Sequence, residues 1–246
     1  MAMLSNLRNL AKALDRMISC FVFGSTIGTY PYLKGVMRWQ QFLLKSNLSP
    51  GFEKFRLFRS QDALLQILHH HRNNLVDSPF APSNPKFVES YDFNQLRDCS
   101  NPLIRYIHQV FEEIGERLRP SMSDFQHSVL QVNIYSIQHT ANFRRLSADW
   151  HQDRRPVNWL RIFILLHDTQ FHHGPLSYID QLTSFAIIKR GFRRGDSIDD
   201  SLPNPINLLT GSVGDALIIN TETCLHKAGV PANGLTRTIM EIVFKV

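Results

Sequence analysis

The sequence predicts a mainly β fold, a sandwich or a barrel, with helices packed on one side. Two observations indicate this class. Apolar residues recur at helical spacing over residues 102–118, in the first half of the chain, and Pro120 follows as a helix-ending residue. From about residue 128, apolar residues instead alternate with polar ones, and turn residues separate one short run from the next. Helices first and short strands afterwards are typical of β domains with helices on one face.

Further elements follow from local patterns. A helix is predicted to begin at residues 60–62, where Ser, Gln and Asp precede an apolar run. Residues 77–92 are polar and interrupted by prolines, so we expect a loop or the rim of a site. Several segments have the β-branched and aromatic composition of strands. They are residues 129–138, 159–167, 185–188, 216–220 and 236–245.

The amino-acid composition excludes some classes of protein. The chain has 246 residues, of which 43% are hydrophobic and 20% charged, so it can bury a large core and is neither disordered nor fibrous. The net charge of +6 suits an anionic partner. The basic residues are spread along the chain, however, and no nucleic-acid-binding module is visible. We therefore expect no nucleic-acid partner.

The number and spacing of the cysteines indicate the redox state of the cellular compartment. Cys20, Cys99 and Cys224 are odd in number, and none has Cys-x-x-Cys spacing. This argues against a disulfide framework and against a structural zinc site, and it favours a reducing compartment. We expect a cytoplasmic protein, with targeting to an organelle as the alternative.

The amino terminus has an amphipathic pattern. Residues 4–18 carry leucines at helical spacing with basic residues on another face. The uncharged stretch at residues 17–33 is too short and too polar to span a bilayer comfortably. We expect a helix docked on the domain, and a helix lying on a membrane surface is the alternative.

One set of residues has the pattern of a metal site. On an extended strand, residues i and i+2 project from the same face, so His151 and Asp153 can reach one ion. His226 follows 75 residues later, after another strand candidate. Imidazole and carboxylate suit iron(II), manganese or zinc. Two histidines and one carboxylate on one face of an octahedral metal leave three positions open, as in non-haem iron(II) oxygenases.

Arg237 opens the last predicted strand, 11 residues after His226. A guanidinium inside a barrel is costly unless it meets a carboxylate, and it can hold an acid cosubstrate through two hydrogen bonds. Asn133 and Tyr135 share one face of the first predicted barrel strand. The sequence does not decide whether these two side chains contact the cosubstrate or pack in the core.

In this order, His151-x-Asp153, His226 and Arg237 resemble the motif of the iron(II)/2-oxoglutarate-dependent oxygenases. The resemblance covers about residues 128–246. Flanking segments are similar to the phytanoyl-CoA dioxygenase-like branch, namely Trp-His-Gln-Asp at 150–153, His-Gly-Pro-Leu at 173–176 and Gly-Asp-Ala-Leu at 214–217.

Two positions depart from that branch. Residues 177–181 read Ser-Tyr-Ile-Asp-Gln where the branch commonly has Pro-Gly-Ser-His, which concerns the substrate-facing loop rather than the metal site. Ile239 stands where a second hydroxyl contact to the cosubstrate is expected. The carboxylate ligand is present as Asp153, so the halogenase variant, which has a small residue there, is disfavoured.

The resemblance implies a double-stranded β-helix, that is, a jelly-roll or cupin-like core with amino-terminal helices packed on it. We expect a single domain over residues 1–246. Within it, residues 1–125 are mostly helical and loop segments that frame the pocket, and residues 126–246 form the catalytic core.

The resemblance also implies an activity. His151, Asp153 and His226 would hold iron(II), with 2-oxoglutarate and O2 as cosubstrates and Arg237 as the anchor of 2-oxoglutarate. The expected reaction oxidises, most commonly hydroxylates, a small molecule and decarboxylates 2-oxoglutarate to succinate and CO2. Desaturation, cyclisation and epimerisation stay open as alternatives, as do a macromolecular substrate and a binding protein that kept the fold.

Other polar clusters compete for a role. Four arginines flank the first ligand segment and would suit an anionic substrate, with solvated charge as the alternative: Arg144, Arg145, Arg154 and Arg155. Histidines at 69–71 and at 167, 172 and 173 lack a placed carboxylate, so we expect them to be solvated or structural. Cys224 shares a strand face with His226, and we expect a small buried side chain there.

Overall fold

The structure is a computed structural model. It describes residues 51–77, 86–139, 148–153, 155–193, 196, 198 and 206–246. The amphipathic helix predicted near the amino terminus lies outside the described residues, and so do Arg144, Arg145 and Arg154.

Two antiparallel sheets carry the fold. Their strands are β1 (Phe52–Arg56), β2 (Lys86–Asp92), β3 (Val129–Gln138), β4 (Trp159–Leu165), β5 (Ser177–Tyr178), β6 (Asn207–Leu208), β7 (Asp215–Ile219), β8 (His226–Lys227) and β9 (Thr236–Lys245). The larger sheet has the order β1-β7-β4-β9-β3-β2, and the smaller one has the order β6-β5-β8. The predicted fold class, a mainly β jelly-roll-like core with helices, is confirmed.

Helices cover one face of the larger sheet. They are α1 (Gln61–Asp77), α2 (Pro102–Leu118) and α3 (Phe125–Ser128), whose buried side chains join the core cluster of that sheet. Helix α4 (Gln181–Lys189) instead packs against a separate cluster formed by Trp150, Ile179 and Leu225. Short 3-10 turns lie at Gln95–Arg97 and Phe171–His173. Helix α2 begins where predicted, because Asn101 caps it by accepting a hydrogen bond from the Leu103 N–H and Pro102 occupies the first turn. None of the described helices is long and apolar enough to cross a membrane.

The larger sheet separates a helix-packed core from a cavity. In β4 and β9, alternate side chains join the apolar cluster that also contains the buried stripes of α1 and α2; they are Leu160, Ile162, Ile164, Met240, Ile242 and Phe244. The intervening side chains face the other way, as period-two alternation requires. Polar and charged residues are found on that second face, and this is where the cavity lies.

One predicted strand is a helix. Residues 185–188 were predicted as a strand from their apolar composition, but they lie within α4. The side chain of Asp180 accepts a hydrogen bond from the Thr183 N–H and so caps the start of this helix. A four-residue apolar run does not distinguish a strand from a buried helix segment, and the cap decides it.

The first half of the chain also contributes to the sheet. Residues 86–92, predicted as part of a loop, form β2 and pair with β3 from Lys86↔Ile137 to Asp92↔Gln131. Strand β1, which no sequence pattern indicated, pairs with β7. Both strands lie at the edges of the sheet, where half-exposed residues weaken the apolar alternation.

Candidate active site

The backbone brings the three predicted metal ligands together. His151 and His226 form an antiparallel bridge, in which each N–H donates to the carbonyl of the other at 3.1 and 3.0 Å. Two residues further on, the Asp153 N–H donates to the carbonyl of Thr221 at 3.0 Å. This extended pairing sends the side chains of His151 and Asp153 to the same side, as the spacing predicted.

The ligand atoms of this cluster face one another. Nε2 of His151 lies 3.8 Å from Oδ1 of Asp153, and Nε2 of His226 lies 4.0 Å from the same oxygen. One ligand atom from each residue falls within a 4.8 Å span. A metal with bonds of about 2.0–2.2 Å to nitrogen and oxygen fits between atoms at such separations.

Hydrogen bonds to backbone carbonyls orient both imidazole rings. Nδ1 of His151 lies 2.7 Å from the carbonyl oxygen of Asp149, and Nδ1 of His226 lies 3.2 Å from that of Cys224. A carbonyl oxygen only accepts, so each Nδ1 carries a proton, and Nε2 is the ring nitrogen that faces the cluster. Backbone contacts of this kind orient histidine ligands in metal sites.

The protonation states also suit metal binding. Burial lowers the pKa of His226 to about 4, so this imidazole is neutral at pH 7. Burial alone would raise the pKa of Asp153, but the neighbouring His226 and Arg161 outweigh it and lower that pKa. The cluster therefore offers the neutral imidazole of His226 and the carboxylate of Asp153.

A cavity of about 210 Å³ opens beside the cluster. Residues of both sheets line it. They are Lys86, Tyr135, Ile137, His151, Asp153, Arg161, Phe163, Leu176, His226, Ala228, Arg237, Ile239 and Glu241.

Arg237 is a buried cation without a protein partner for part of its guanidinium. Its exposed fraction is 2%, and its Nε and Nη1 have no hydrogen-bond partner among the described residues. Burial lowers the pKa of Arg237 to about 10, so it remains charged at neutral pH. A buried unpaired cation is costly, and a carboxylate entering the cavity would supply the missing partner.

Asn133 and Tyr135 lie on the cavity side of β3, on one face as predicted. The Tyr135 ring lines the cavity, and Lys86 Nζ lies 3.9 Å from its centre. The Tyr135 hydroxyl and the Asn133 amide both donate to Oε2 of Glu241, the amide at 2.7 Å.

Sequence reasoning missed Arg161 and Glu241. Arg161 pairs with Asp153 and Glu241, and all three lie at the cavity. The sequence does carry a signal for them, because each is a single charge inside an otherwise apolar run of residues, 159–165 and 239–244 respectively. A charge at such a position needs a buried partner.

The competing histidines have other contacts. His71 is fully buried behind the sheet, where its Nε2 lies 2.9 Å from Ser136 Oγ and its Nδ1 lies 3.0 Å from a Glu89 oxygen. His167 accepts a hydrogen bond from the Thr238 N–H through its Nε2. Both contacts hold elements together, as expected for structural histidines.

Cys224 is fully buried and belongs to an apolar cluster beside the cavity. Burial raises the pKa of its thiol to about 12, so it stays protonated. It behaves as the small buried side chain that the sequence predicted.

Comparisons with solved structures place the fold. The chain is similar to AviO1 from Streptomyces viridochromogenes Tue57, with a TM-score of 0.50, 14% identity, and coverage of 85% of this chain and 95% of that one. It is similar to a Pseudomonas putida prolyl-4-hydroxylase, with a TM-score of 0.51, 12% identity, and coverage of 80% and 93%.

A third similar structure is SnoN, described as a non-heme alpha ketoglutarate dependent epimerase from nogalamycin biosynthesis. Its TM-score is 0.52 at 11% identity, with coverage of 87% of this chain and 81% of that one. SnoN has also been solved with Fe3+, alpha ketoglutarate and nogalamycin RO. The fold predicted from the oxygenase resemblance is thus confirmed, because its structural neighbours include enzymes of this class.

No protein-family model matches the sequence, and no curated protein matches it either. The finer resemblance, to the phytanoyl-CoA dioxygenase-like branch, stays a prediction from the sequence.

Proposed function

We propose that this protein is a non-haem iron(II)/2-oxoglutarate-dependent dioxygenase that oxidises a small molecule. One observation carries the proposal. A His-Asp-His cluster with converging ligand atoms and a buried arginine with unpartnered donors line the same cavity. The first suits a divalent metal with open positions, and the second suits the far carboxylate of a dicarboxylic cosubstrate.

Each residue has a part in this proposal. His151, Asp153 and His226 would hold the iron, which when bound with 2-oxoglutarate and O2 supplies the oxidising power. Arg237 would hold the remote carboxylate and so fix the direction of the cosubstrate. Phe163 and Ile239 line the cavity with apolar surface, which excludes water from the reacting groups.

Asn133 and Tyr135 have distinct roles in this proposal. The Tyr135 ring lines the cavity and is placed to contact the cosubstrate. Its hydroxyl, like the Asn133 amide, donates to Glu241, which supports a role in holding that carboxylate in place. Tyr135→Phe separates the two roles, because it removes the hydroxyl and keeps the ring.

We further propose hydroxylation of a small, anionic substrate as the reaction. Lys86 adds a cation to the cavity lining, which favours a substrate with negative charge. The proteins of similar structure include a prolyl-4-hydroxylase and an epimerase. Product analysis must therefore decide among hydroxylation, desaturation, cyclisation and epimerisation. The cysteine usage supports a cytoplasmic location.

We also propose that residues 1–246 form a single domain. Strands β1 and β2 come from the first half of the chain, yet they lie in the same sheet as β3, β4 and β9. Lys86, at the start of β2, lines the cavity itself. Residues of the first half thus complete the proposed pocket.

Calorimetry of the full chain tests the proposed function. Mn2+ is titrated into apo protein, and 2-oxoglutarate is then titrated into the Mn2+-loaded protein under the same conditions. We expect one Mn2+ site and 2-oxoglutarate binding that depends on it, with both lost in Asp153→Ala. The matched control is Asp149→Ala, which removes an exposed carboxylate and leaves the backbone carbonyl that orients His151. Equal Mn2+ binding by Asp153→Ala and wild type would contradict the proposal.

A further inference from the structure

Arg161 contacts one proposed metal ligand, Asp153, and two further side chains beside it. Its Nη2 donates to Oδ2 of Asp153 at 2.6 Å, and its Nε donates to the Thr221 hydroxyl at 3.1 Å. Its Nη1 donates to Oε1 of Glu241. Each nitrogen of this guanidinium therefore has an acceptor that the protein itself supplies.

The register of two strands places this arginine and glutamate together. In the β4–β9 pair, Arg161 lies opposite Val243, and Glu241 lies opposite Phe163. Arg161 and Glu241 are thus diagonal neighbours on the cavity face, a separation that long side chains can bridge. The other oxygen of Glu241 is held by Tyr135 and Asn133, so the carboxylate cannot easily turn away.

The two oxygens of Asp153 have different surroundings. Oδ1 faces Nε2 of both histidines, at 3.8 Å and 4.0 Å. Oδ2 is taken by Arg161. One oxygen is therefore directed at the metal position while the other is engaged by a cation, which favours ligation through a single oxygen.

We propose that Arg161 is a positioning residue for the metal site: it restricts Asp153 to one ligating oxygen, and Glu241 holds Arg161 in place. This inference rests on the proposed function, since it assumes that a metal binds at His151, Asp153 and His226. Hydrogen-bonded partners behind the ligands typically change metal affinity by about 10–100-fold when they are removed.

Charge and position predict opposite effects, which makes the inference testable. Arg161 is a cation close to a divalent metal, so if only its charge mattered, removing it would strengthen metal binding. If it orients Asp153, removing it frees the carboxylate to rotate and weakens metal binding. We expect orientation to dominate, because Glu241 already offsets the charge of Arg161.

The test compares the same substitution at two arginines of the cavity. Mn2+ affinity of the full-length apo protein is measured by calorimetry for wild type, Arg161→Gln and Arg237→Gln. We expect Arg161→Gln to bind Mn2+ about 10–100-fold more weakly than wild type. The control Arg237→Gln removes a cavity cation that does not contact Asp153, and its Mn2+ affinity should stay within about threefold of wild type, although its turnover will not.

Two further measurements separate positioning from loss of fold. Arg161→Lys keeps the charge without the planar fork, and we expect a Mn2+ affinity between those of wild type and Arg161→Gln. The visible spectrum of bound Co2+ reports ligand geometry, and it should change in Arg161→Gln but not in Arg237→Gln. Thermal unfolding of each apo variant shows that the protein compared is folded.

The outcomes are distinguishable. Unchanged or tighter Mn2+ binding and an unchanged Co2+ spectrum in Arg161→Gln would overturn the positioning role alone. A wild type that binds no Mn2+ would overturn the metal site and with it this inference. Should Arg161→Gln not fold, a Mn2+ affinity of Arg161→Lys equal to that of wild type would overturn the inference by itself.

Discussion

Arg161, which is 17% exposed, and Arg237, which is 2% exposed, lie on the same face of the same sheet, and they differ in their partners. Arg161, on β4, donates to two carboxylates and a hydroxyl. Arg237, on β9, leaves two guanidinium nitrogens without a hydrogen-bond partner among the described residues. Both line one cavity of about 210 Å³.

The donors of Arg161 are satisfied by protein groups, whereas Arg237 has two nitrogens for which the described residues supply no acceptor. Burial would lower the pKa of Arg161, but Glu241 and Asp153 outweigh it and raise that pKa. For Arg237, burial acts alone and lowers the pKa to about 10. A buried cation with protein partners stabilises its neighbours, whereas one without them is stabilised by an incoming anion.

The largest effect on stability is expected from Arg161→Met. This change leaves Asp153 and Glu241 without their shared cation, and breaking such a buried pair typically costs about 3–5 kcal/mol. Chemical denaturation of the apo protein measures the change in the free energy of unfolding. A loss below about 1 kcal/mol would show that the two carboxylates do not depend on Arg161.

Arg237→Met should act on the ligand. Removing one partner of a buried charge pair costs about 2–5 kcal/mol, so we expect the Kd of 2-oxoglutarate for the Mn2+-loaded protein to rise about 30-fold or more. Calorimetry measures it, and Mn2+ affinity measured beforehand is the control. An unchanged 2-oxoglutarate affinity would mean that Arg237 is not the anchor.

The same variant should affect stability in the opposite direction from Arg161→Met. In buffer without metal, carboxylate or phosphate, Arg237→Met removes a buried charge whose Nε and Nη1 have no hydrogen-bond partner in the described part of the chain, and it replaces that charge with an apolar side chain. We expect the free energy of unfolding to rise by about 1–3 kcal/mol. If Arg237→Met instead destabilises the apo protein as strongly as Arg161→Met, the distinction between the two arginines fails.

The smallest effect is expected from Tyr135→Phe. The hydroxyl donates to Glu241, so its removal should lower the free energy of unfolding by about 1 kcal/mol. The affinity for 2-oxoglutarate should change less than about threefold if the ring alone contacts the cosubstrate. A larger loss of affinity, measured by calorimetry, would assign the hydroxyl a direct contact.

Long periodic segments of the fold were predictable from the sequence. The helix at 102–118 and the strands at 129–138 and 236–245 repeat their pattern over many residues, and the structure has them at those positions. The run at 185–188 is too short to show a period, so the cap at Asp180 decided its conformation. Strand β2 was predicted as part of a loop because the residues before it are rich in proline.

The site was predictable where it depends on spacing and was missed where it depends on register. His151 and Asp153 meet because they are two residues apart on extended backbone, and their spacing shows this directly. Arg161 and Glu241 meet because β4 and β9 pair in one register, which no short stretch of sequence specifies. Arg237 could be singled out as a buried charge, but only the three-dimensional structure shows that its Nε and Nη1 have no partner among the residues described.

One anaerobic measurement tests the central claim most directly. Apo protein is mixed with iron(II) and 2-oxoglutarate, and the visible metal-to-cosubstrate charge-transfer band is recorded for wild type, Arg237→Met and Asp153→Ala at equal concentrations. We predict a band in wild type, a weaker one in Arg237→Met and none in Asp153→Ala. Folded wild type without a band, or a band of equal strength in all three proteins, would contradict the assignment of the metal site and its anchor.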